Sequence, residues 1–252
     1  MYPYIELFWY TIYFHWLGIV ISTLVFLYWV YRYSKKANLR FSLFFNYIPL
    51  FIILPYLLWR WFYNAIEYHI LFPDLTIFFP YGYKFSFIWV SVGFLIAMTI
   101  FLLNFKYSQE RKKWFDVFFY SISLALIVVW PFFLLWDVFY GKPTNSIFWV
   151  NVLSDNTQIP YLSWSYWPVG IFLSFLGLGM YLLAKLLHLI FKKSSLTILL
   201  FPFVFLAFSY IFSFQEYPRH FLFEIDIKIL YCWLVAIFWT VFFFWLINHR
   251  KW

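Results

Sequence analysis

Apolar residues run in seven long blocks, near residues 8–31, 42–63, 85–105, 114–136, 166–191, 195–214 and 228–248, with polar and charged residues gathered between them. Crossing hydrocarbon takes about 20 apolar residues at helical rise, and none of the blocks alternates as a barrel strand does. Backbone polar groups in lipid must pair within their own segment. The pattern therefore predicts an all-α, polytopic membrane protein with seven transmembrane helices in a single domain, residues 1–252. The fourth block is expected to be interrupted at Pro131 and to end at Asp137. Beyond it, Gly141, Pro143, Asn145 and the stretch from Ser154 to Pro160 read as the longest loop.

The charges between the blocks set an orientation. Arg32, Lys35, Lys36 and Arg40, then Lys106, Arg111, Lys112 and Lys113, then Lys185, Lys192 and Lys193, then Arg250 and Lys251 fall on alternate connections and the C-terminus, opposed only by Glu110 and Asp116. These are thirteen of the eighteen basic residues, and eight of the ten acidic residues lie on the other side. Because cytoplasmic loops accumulate Lys and Arg, the N-terminus is expected outside and the C-terminus in the cytoplasm of a plasma (inner) membrane. The opening MYPYIELFWY lacks a basic region and a small-residue cleavage pattern, so the first helix is expected to be retained.

A chain that is 65% hydrophobic and 11% charged has too little polar surface for a water-soluble domain. Its net charge of +8 would suit nucleic acid, but the cations sit at helix ends along one membrane face, which excludes that reading. The single cysteine, Cys232, lies in the last block and forbids an intrachain disulfide or a cysteine metal site. Aromatic residues make up 30% of the chain against seven glycines, so one aromatic carries little weight as a functional signal.

Ionisable groups in or near the apolar blocks are the candidate chemistry. Arg60, Asn64 and Glu67 share one face at the outer end of the second helix, where an anionic headgroup could dock; in the other reading Arg60 snorkels to the interface and pairs with Glu67. Asp137 is a partner for Arg60 if the second and fourth helices touch. Lys185 and His188 share a face of the fifth helix and read as cytoplasmic anchors with Lys192 and Lys193. His15, His69, His220 and His249 have no spacing that suggests a metal, and no cofactor is expected. Glu216, Arg219, His220, Glu224, Asp226 and Lys228 read as a solvated mixed-charge loop. There is no phosphate loop, nucleophile elbow or row of charges along a helix interior.

Several segments, in order, resemble one family. Tyr140-Gly141-Lys142-Pro143-Thr144-Asn145 is similar to an LYGRPTD segment; Tyr2-Pro3 with Phe14-His15-Trp16-Leu17-Gly18 to a YP followed by IRWYG; Phe62-Tyr63-Asn64 with Pro73 to LFYN and HP. Ser86-Phe87 with Gly93 resembles SFHGGLIG, and the run from Phe208 to Pro218 lies without gaps on FRFLVEFFREP. Together they resemble the bacterial prolipoprotein diacylglyceryl transferases over nearly the whole chain. The resemblance implies seven spans, an outer N-terminus, and transfer of a diacylglyceryl group from phosphatidylglycerol to the lipobox cysteine of a lipoprotein precursor.

The family's polar positions are largely replaced. Its RxGNxxNGExYG signature, aligned back from Gly141, puts the arginine on Trp130, the asparagines on Phe133 and Trp136, and the glutamate on Val138. The histidine of SFHGG falls on Ile88, the tyrosine of RWYG on Leu17, the second-helix arginine on Tyr56, and the arginine and glutamate of FRFLVEFFREP on Ser209 and Ser213. The HPSQLYE segment is echoed only by Pro160 and Ser163. Cations to hold a phosphate and a base to activate a thiol are what such a transfer requires.

The expectation is thus a homologue that binds a lipid or a protein partner without catalysis, at a site formed by Arg60, Asn64, Asp137, Tyr140, Gly141, Lys142 and Thr144. The alternatives are an active lipid-modifying transferase with a phosphate site rebuilt from Arg60 and Lys142, and a structural subunit of a membrane complex.

Overall fold

The computed structural model describes residues 4–7, 10–67, 87–135, 141–142, 150–151, 165–191, 197–214, 221–222 and 225–248. The fold is mostly helical. Its helices are α1 (Phe14–Lys36), α2 (Phe41–Phe45), α3 (Ile48–Glu67), α4 (Phe87–Leu103), α5 (Ser108–Leu135), α6 (Val169–Phe191), α7 (Thr197–Ser213), α8 (Ile227–Leu234) and α9 (Thr240–Asn248). A π-helical turn, Val235–Trp239, joins α8 to α9. Three antiparallel ribbons accompany them: β1 (Tyr4–Leu7) with β2 (Tyr10–Tyr13), β3 (Val150–Asn151) with β4 (Ser165–Tyr166), and β5 (Phe221–Leu222) with β6 (Ile225–Asp226).

Among the described residues, five segments are long and apolar enough to cross a membrane: Leu17–Lys36, Phe41–Trp61, Ser108–Phe132, Val169–Phe191 and Ile229–Asn248. Two further apolar helices, Val90–Leu103 and Thr197–Ser213, are shorter. α5 differs from expectation at Pro131, which stays inside the helix rather than interrupting it. One lost backbone bond is tolerated where neighbouring helices surround the turn. The second apolar block likewise resolves into two helices, α2 and α3.

Helix α1 stops for a local reason. Asn38 takes a left-handed φ of 55°, Leu39 N–H donates to Ser34 O at 2.8 Å, and Asn38 N–H donates to Lys35 O at 3.2 Å. This is a Schellman closure with Asn in the position usually given to Gly. Lys35 and Lys36 in the last turn complement the helix dipole.

Helix α5 is the axis of the bundle, packed on α1 along one side and α6 along the other. Gly18 of α1 lies against Phe132, and the Tyr120 hydroxyl donates to Ala184 O at 2.9 Å, so both neighbours run antiparallel to α5 and parallel to each other. α3 and α4 form a second antiparallel pair, in which Phe51 meets Phe94 at 5.2 Å and Tyr47 meets Phe101 at 5.3 Å between ring centroids. α7 packs on the last helical segment, where Trp233 Nε1 donates to Ser209 Oγ at 2.8 Å. The ribbons therefore all lie at one end of the bundle. The turns after α1 and α4 and the C-terminal end of α6 lie at the other.

At the turn end, rings of α2, α4 and α5 interlock. Phe101 meets the Trp114 ring edge-on at 4.9 Å, and Phe44 and Phe118 close the cluster at 5.8 and 5.4 Å from Phe101. A second knot of Phe115, Phe201 and Phe243, with centroids 5.5 to 6.1 Å apart, joins α5, α7 and α9. Buried Arg111 completes this end. Its Nε donates to Phe105 O at 2.8 Å and its Nη1 to Leu246 O at 2.5 Å, tying the α4–α5 turn to the last carbonyls of α9.

Gly93 permits the close approach of α4 to α3, since a Cβ there would lie 2.5 Å from Pro55 Cα. Gly179 has open space around the same position. Overpacking costs about 1–3 kcal/mol, so Gly93→Leu should lower the thermal midpoint in detergent by several degrees. Gly179→Leu should leave it unchanged. Equal midpoints for the two variants would rule out this packing of α3 on α4.

Candidate functional site

Of the expected site residues, the side-chain surroundings of Arg60 and the junction around Gly141 and Lys142 are described. Arg60 stands on α3 toward the ribbon end and is buried, at 3% exposure, with its guanidinium carbon 5.9 Å from the Trp59 ring centroid. Its side chain is covered by protein rather than exposed. Gly141 and Lys142 are held between Trp167, just before α6, and Phe214, just after α7. Gly141 N–H donates to Trp167 O at 2.8 Å, Trp167 N–H to Lys142 O at 3.2 Å, and Lys142 N–H to Phe214 O at 2.7 Å. The Lys142 side chain is exposed. Asn64 is placed on α3 by its backbone alone, and Asp137, Tyr140 and Thr144 lie outside the described residues.

Gly141 is constrained by its surroundings. A Cβ there would collide with Trp167 Cβ and come within 2.9 Å of Phe214 O, so the loop can lie flat on the helix ends only with glycine.

The concave feature lies deeper in the bundle. A cavity of ≈ 500 Å³ opens between the α3–α4 pair and the α1–α5–α7 body. Ile19, Phe26, Phe51, Phe94, Phe119 and Leu126 are among the side chains that form its apolar wall. Its polar groups are few: the hydroxyls of Ser22, Thr23, Ser91 and Tyr56 and the indoles of Trp59 and Trp130. Several of these are already engaged. Ser22 and Thr23 both bond back to Ile19 O, at 3.0 and 2.7 Å, and Ser91 donates to Tyr231 at 2.8 Å.

Among the described residues the wall includes no carboxylate, amine, guanidinium, imidazole or thiol, and no group of three His, Cys, Asp or Glu side chains could hold a metal. Chemically the chamber can accept hydrocarbon and offer a hydroxyl or two. Among the described lining residues the reactive groups are hydroxyls, with no imidazole, carboxylate or amine in the wall to activate them. Its rim is open, because Ile52, a wall residue, is half-exposed.

Sequence reasoning centred on charged residues and missed this chamber. A signal was nevertheless present: Trp130 and Tyr56, the two positions aligned with family arginines on the second and fourth helices, both line the wall. Ser209, aligned with a third arginine, instead accepts the Trp233 indole hydrogen on α7.

No family profile, curated protein or solved structure matches the chain.

Gly141→Ala should loosen the junction between the loop and helices α6 and α7, by about 1–3 kcal/mol, and accelerate hydrogen exchange at the amides of Gly141, Lys142 and Trp167. Lys142→Ala should leave those rates unchanged. Protection that persists in the alanine variant of Gly141 would disprove the steric argument.

Proposed function

We propose that this chain is a seven-helix membrane protein of the diacylglyceryl transferase type that binds a phospholipid without modifying it, the lipid's acyl chain lying in the interhelical cavity. The observation that carries the reading is the cavity wall: ≈ 500 Å³ bounded by apolar side chains, with no acid, base or cation among the described lining residues. A volume in this range suits a small-molecule or lipid-chain site. Apolar chains bind by burial alone, at about 0.8 kcal/mol per CH₂.

The aromatic residues at the aligned arginine positions support the same conclusion. Trp130 and Tyr56 replace phosphate-binding charge with ring surface, which favours retention of a chain over turnover of a headgroup. Buried Arg60 next to the wall residue Trp59 is the one feature that favours an active transferase with a rebuilt phosphate site. In the preferred reading Arg60 instead attracts the anionic headgroup, phosphatidylglycerol in the first instance. The lysine and arginine ladder supports an outer N-terminus and a cytoplasmic C-terminus in the plasma (inner) membrane. A lipoprotein precursor or a membrane-protein partner would then meet the protein at its outer end.

Orientation is tested with cysteines placed by Lys142→Cys and Lys106→Cys in intact cells; an impermeant maleimide should label the first and spare the second. The reverse pattern would invert the topology.

Lipid binding is tested by native mass spectrometry of protein purified in mild detergent. Wild type should carry a phospholipid, and Ala125→Trp, which fills the chamber, should reduce its occupancy about tenfold, equivalent to about 1.4 kcal/mol. Val20→Trp, on the exposed face of α1, is the control and should retain the lipid. The same wild-type chain should fail to restore lipobox acylation in cells depleted of their own transferase. Robust rescue that is lost with Arg60→Ala would establish the catalytic reading instead.

A further inference from the structure

A second polar assembly lies toward the turn end, beside the cavity-wall residues Phe119 and Met180 but unlike the cavity in chemistry. Tyr33 of α1 donates a hydrogen bond to the Tyr181 hydroxyl of α6 at 3.1 Å. Tyr120 of α5 closes the group, its ring 5.2 Å from Tyr33 and 6.1 Å from Tyr181. Because α1 and α6 run parallel, the residues one turn beyond this bond also come together. These are Lys36, three positions after Tyr33, and Lys185, four after Tyr181.

Lys185 Nζ lies 4.6 Å from the Tyr181 ring centroid, and Lys185 and Lys36 both act electrostatically on that phenol. Both lysines are exposed, and neither has a carboxylate partner among the described residues. Asp116 of α5 is turned to α7, where it accepts the Thr197 hydroxyl hydrogen. Arg32 and Lys35 on α1 and His188 on α6 add exposed basic groups and no acid.

Two ammonium groups from different helices, with a phenol between them, complement a phosphate diester. We infer that the Lys36–Tyr181–Lys185 notch binds the headgroup phosphate of an anionic phospholipid in the adjoining leaflet. Basic pockets between membrane helices have this use. A membrane lipid rather than a soluble phosphate is the occupant, because α6 flanks the notch with Leu182, Leu183 and Leu186 about half-exposed. Leu182, and Leu178 one turn nearer the middle of the helix, lie on the membrane-core side of Lys185 and accept the acyl chains while the lysines hold the phosphate. The site does not depend on the cavity.

The test uses the full-length protein in nanodiscs of equal phosphatidylglycerol and phosphatidylcholine, with retained lipids counted by native mass spectrometry after release. Wild type should retain phosphatidylglycerol in preference. Replacing both lysines, Lys36→Gln with Lys185→Gln, should cut that preference about tenfold. Lys36→Arg with Lys185→Arg should preserve it. Lys106→Gln with Lys112→Gln removes the same charge from the same end and should leave the preference within about twofold.

Equal losses from the two glutamine pairs would overturn the site in favour of a diffuse surface potential. Competition by millimolar glycerol 3-phosphate would overturn the lipid assignment in favour of a soluble anion. Ala125→Trp should leave the preference intact, which separates this site from the cavity.

Discussion

Ring packing is the constraint from which the rest of this fold follows. Helices in lipid gain no hydrophobic drive for association and usually close on small residues. This chain has seven glycines and 76 aromatic residues, 38 Phe, 22 Tyr and 16 Trp, so most of its interfaces are built from rings. Where glycine does occur at a contact, backbones come close: Gly93 lies on Pro55, and a Cβ at Gly177 would stand 2.9 Å from Ser123 O. Elsewhere Phe44, Phe101, Trp114 and Phe118 fill the gap at the turn end and hold the α3–α4 pair away from α5. The space that results, beyond the reach of that wedge, is the apolar cavity. Its origin is the mismatch between bulky interfaces at one end and a few hydroxyl contacts, such as Ser91 to Tyr231, toward the other.

Backbone satisfaction imposes the second constraint. The final carbonyls of a helix have no intrahelical donors, and in a low-dielectric setting each is costly to leave bare. Arg111 meets this need for two segments at once, through Phe105 O and Leu246 O. Its planar fork can serve acceptors in different directions, which a lysine ammonium does less rigidly. By its sequence position, Arg111 is one more cation on a basic loop. In the fold it is 1% exposed and contributes to cohesion, so the basic ladder mixes exposed residues with one that faces carbonyls.

The helical blocks were legible because length and apolar composition are local properties: every expected block contains a helix. The course of α5 through Pro131 was not, since a proline's effect depends on what packs around the released carbonyl. The cavity was illegible for a related reason. It requires knowing that α1 pairs with α5 while α3 pairs with α4, and nothing in either block encodes the partner. Arg60 was legible as a special residue but not as a buried one, because snorkelling and burial follow from the neighbour, here Trp59. The Tyr33–Tyr181 bond spans 148 positions and has no sequence signature at all.

The two proposed lipid contacts use opposite physics, and this follows from where each lies. Inside the bundle a charge without a partner is expensive, so a site there can offer surface and shape but little electrostatic attraction. At the helix ends a lysine keeps its hydration and costs little, while the aromatic ring beneath it limits its freedom. Lys185 over Tyr181 has that arrangement, and the Ser22–Thr23 region of the cavity has the other, its hydroxyls returned to the α1 backbone. A bundle interior built of rings thus offers more for holding a lipid chain than for reacting with one. Hydrocarbon needs only volume and apolar wall, and headgroup phosphate needs only cations at the membrane edge.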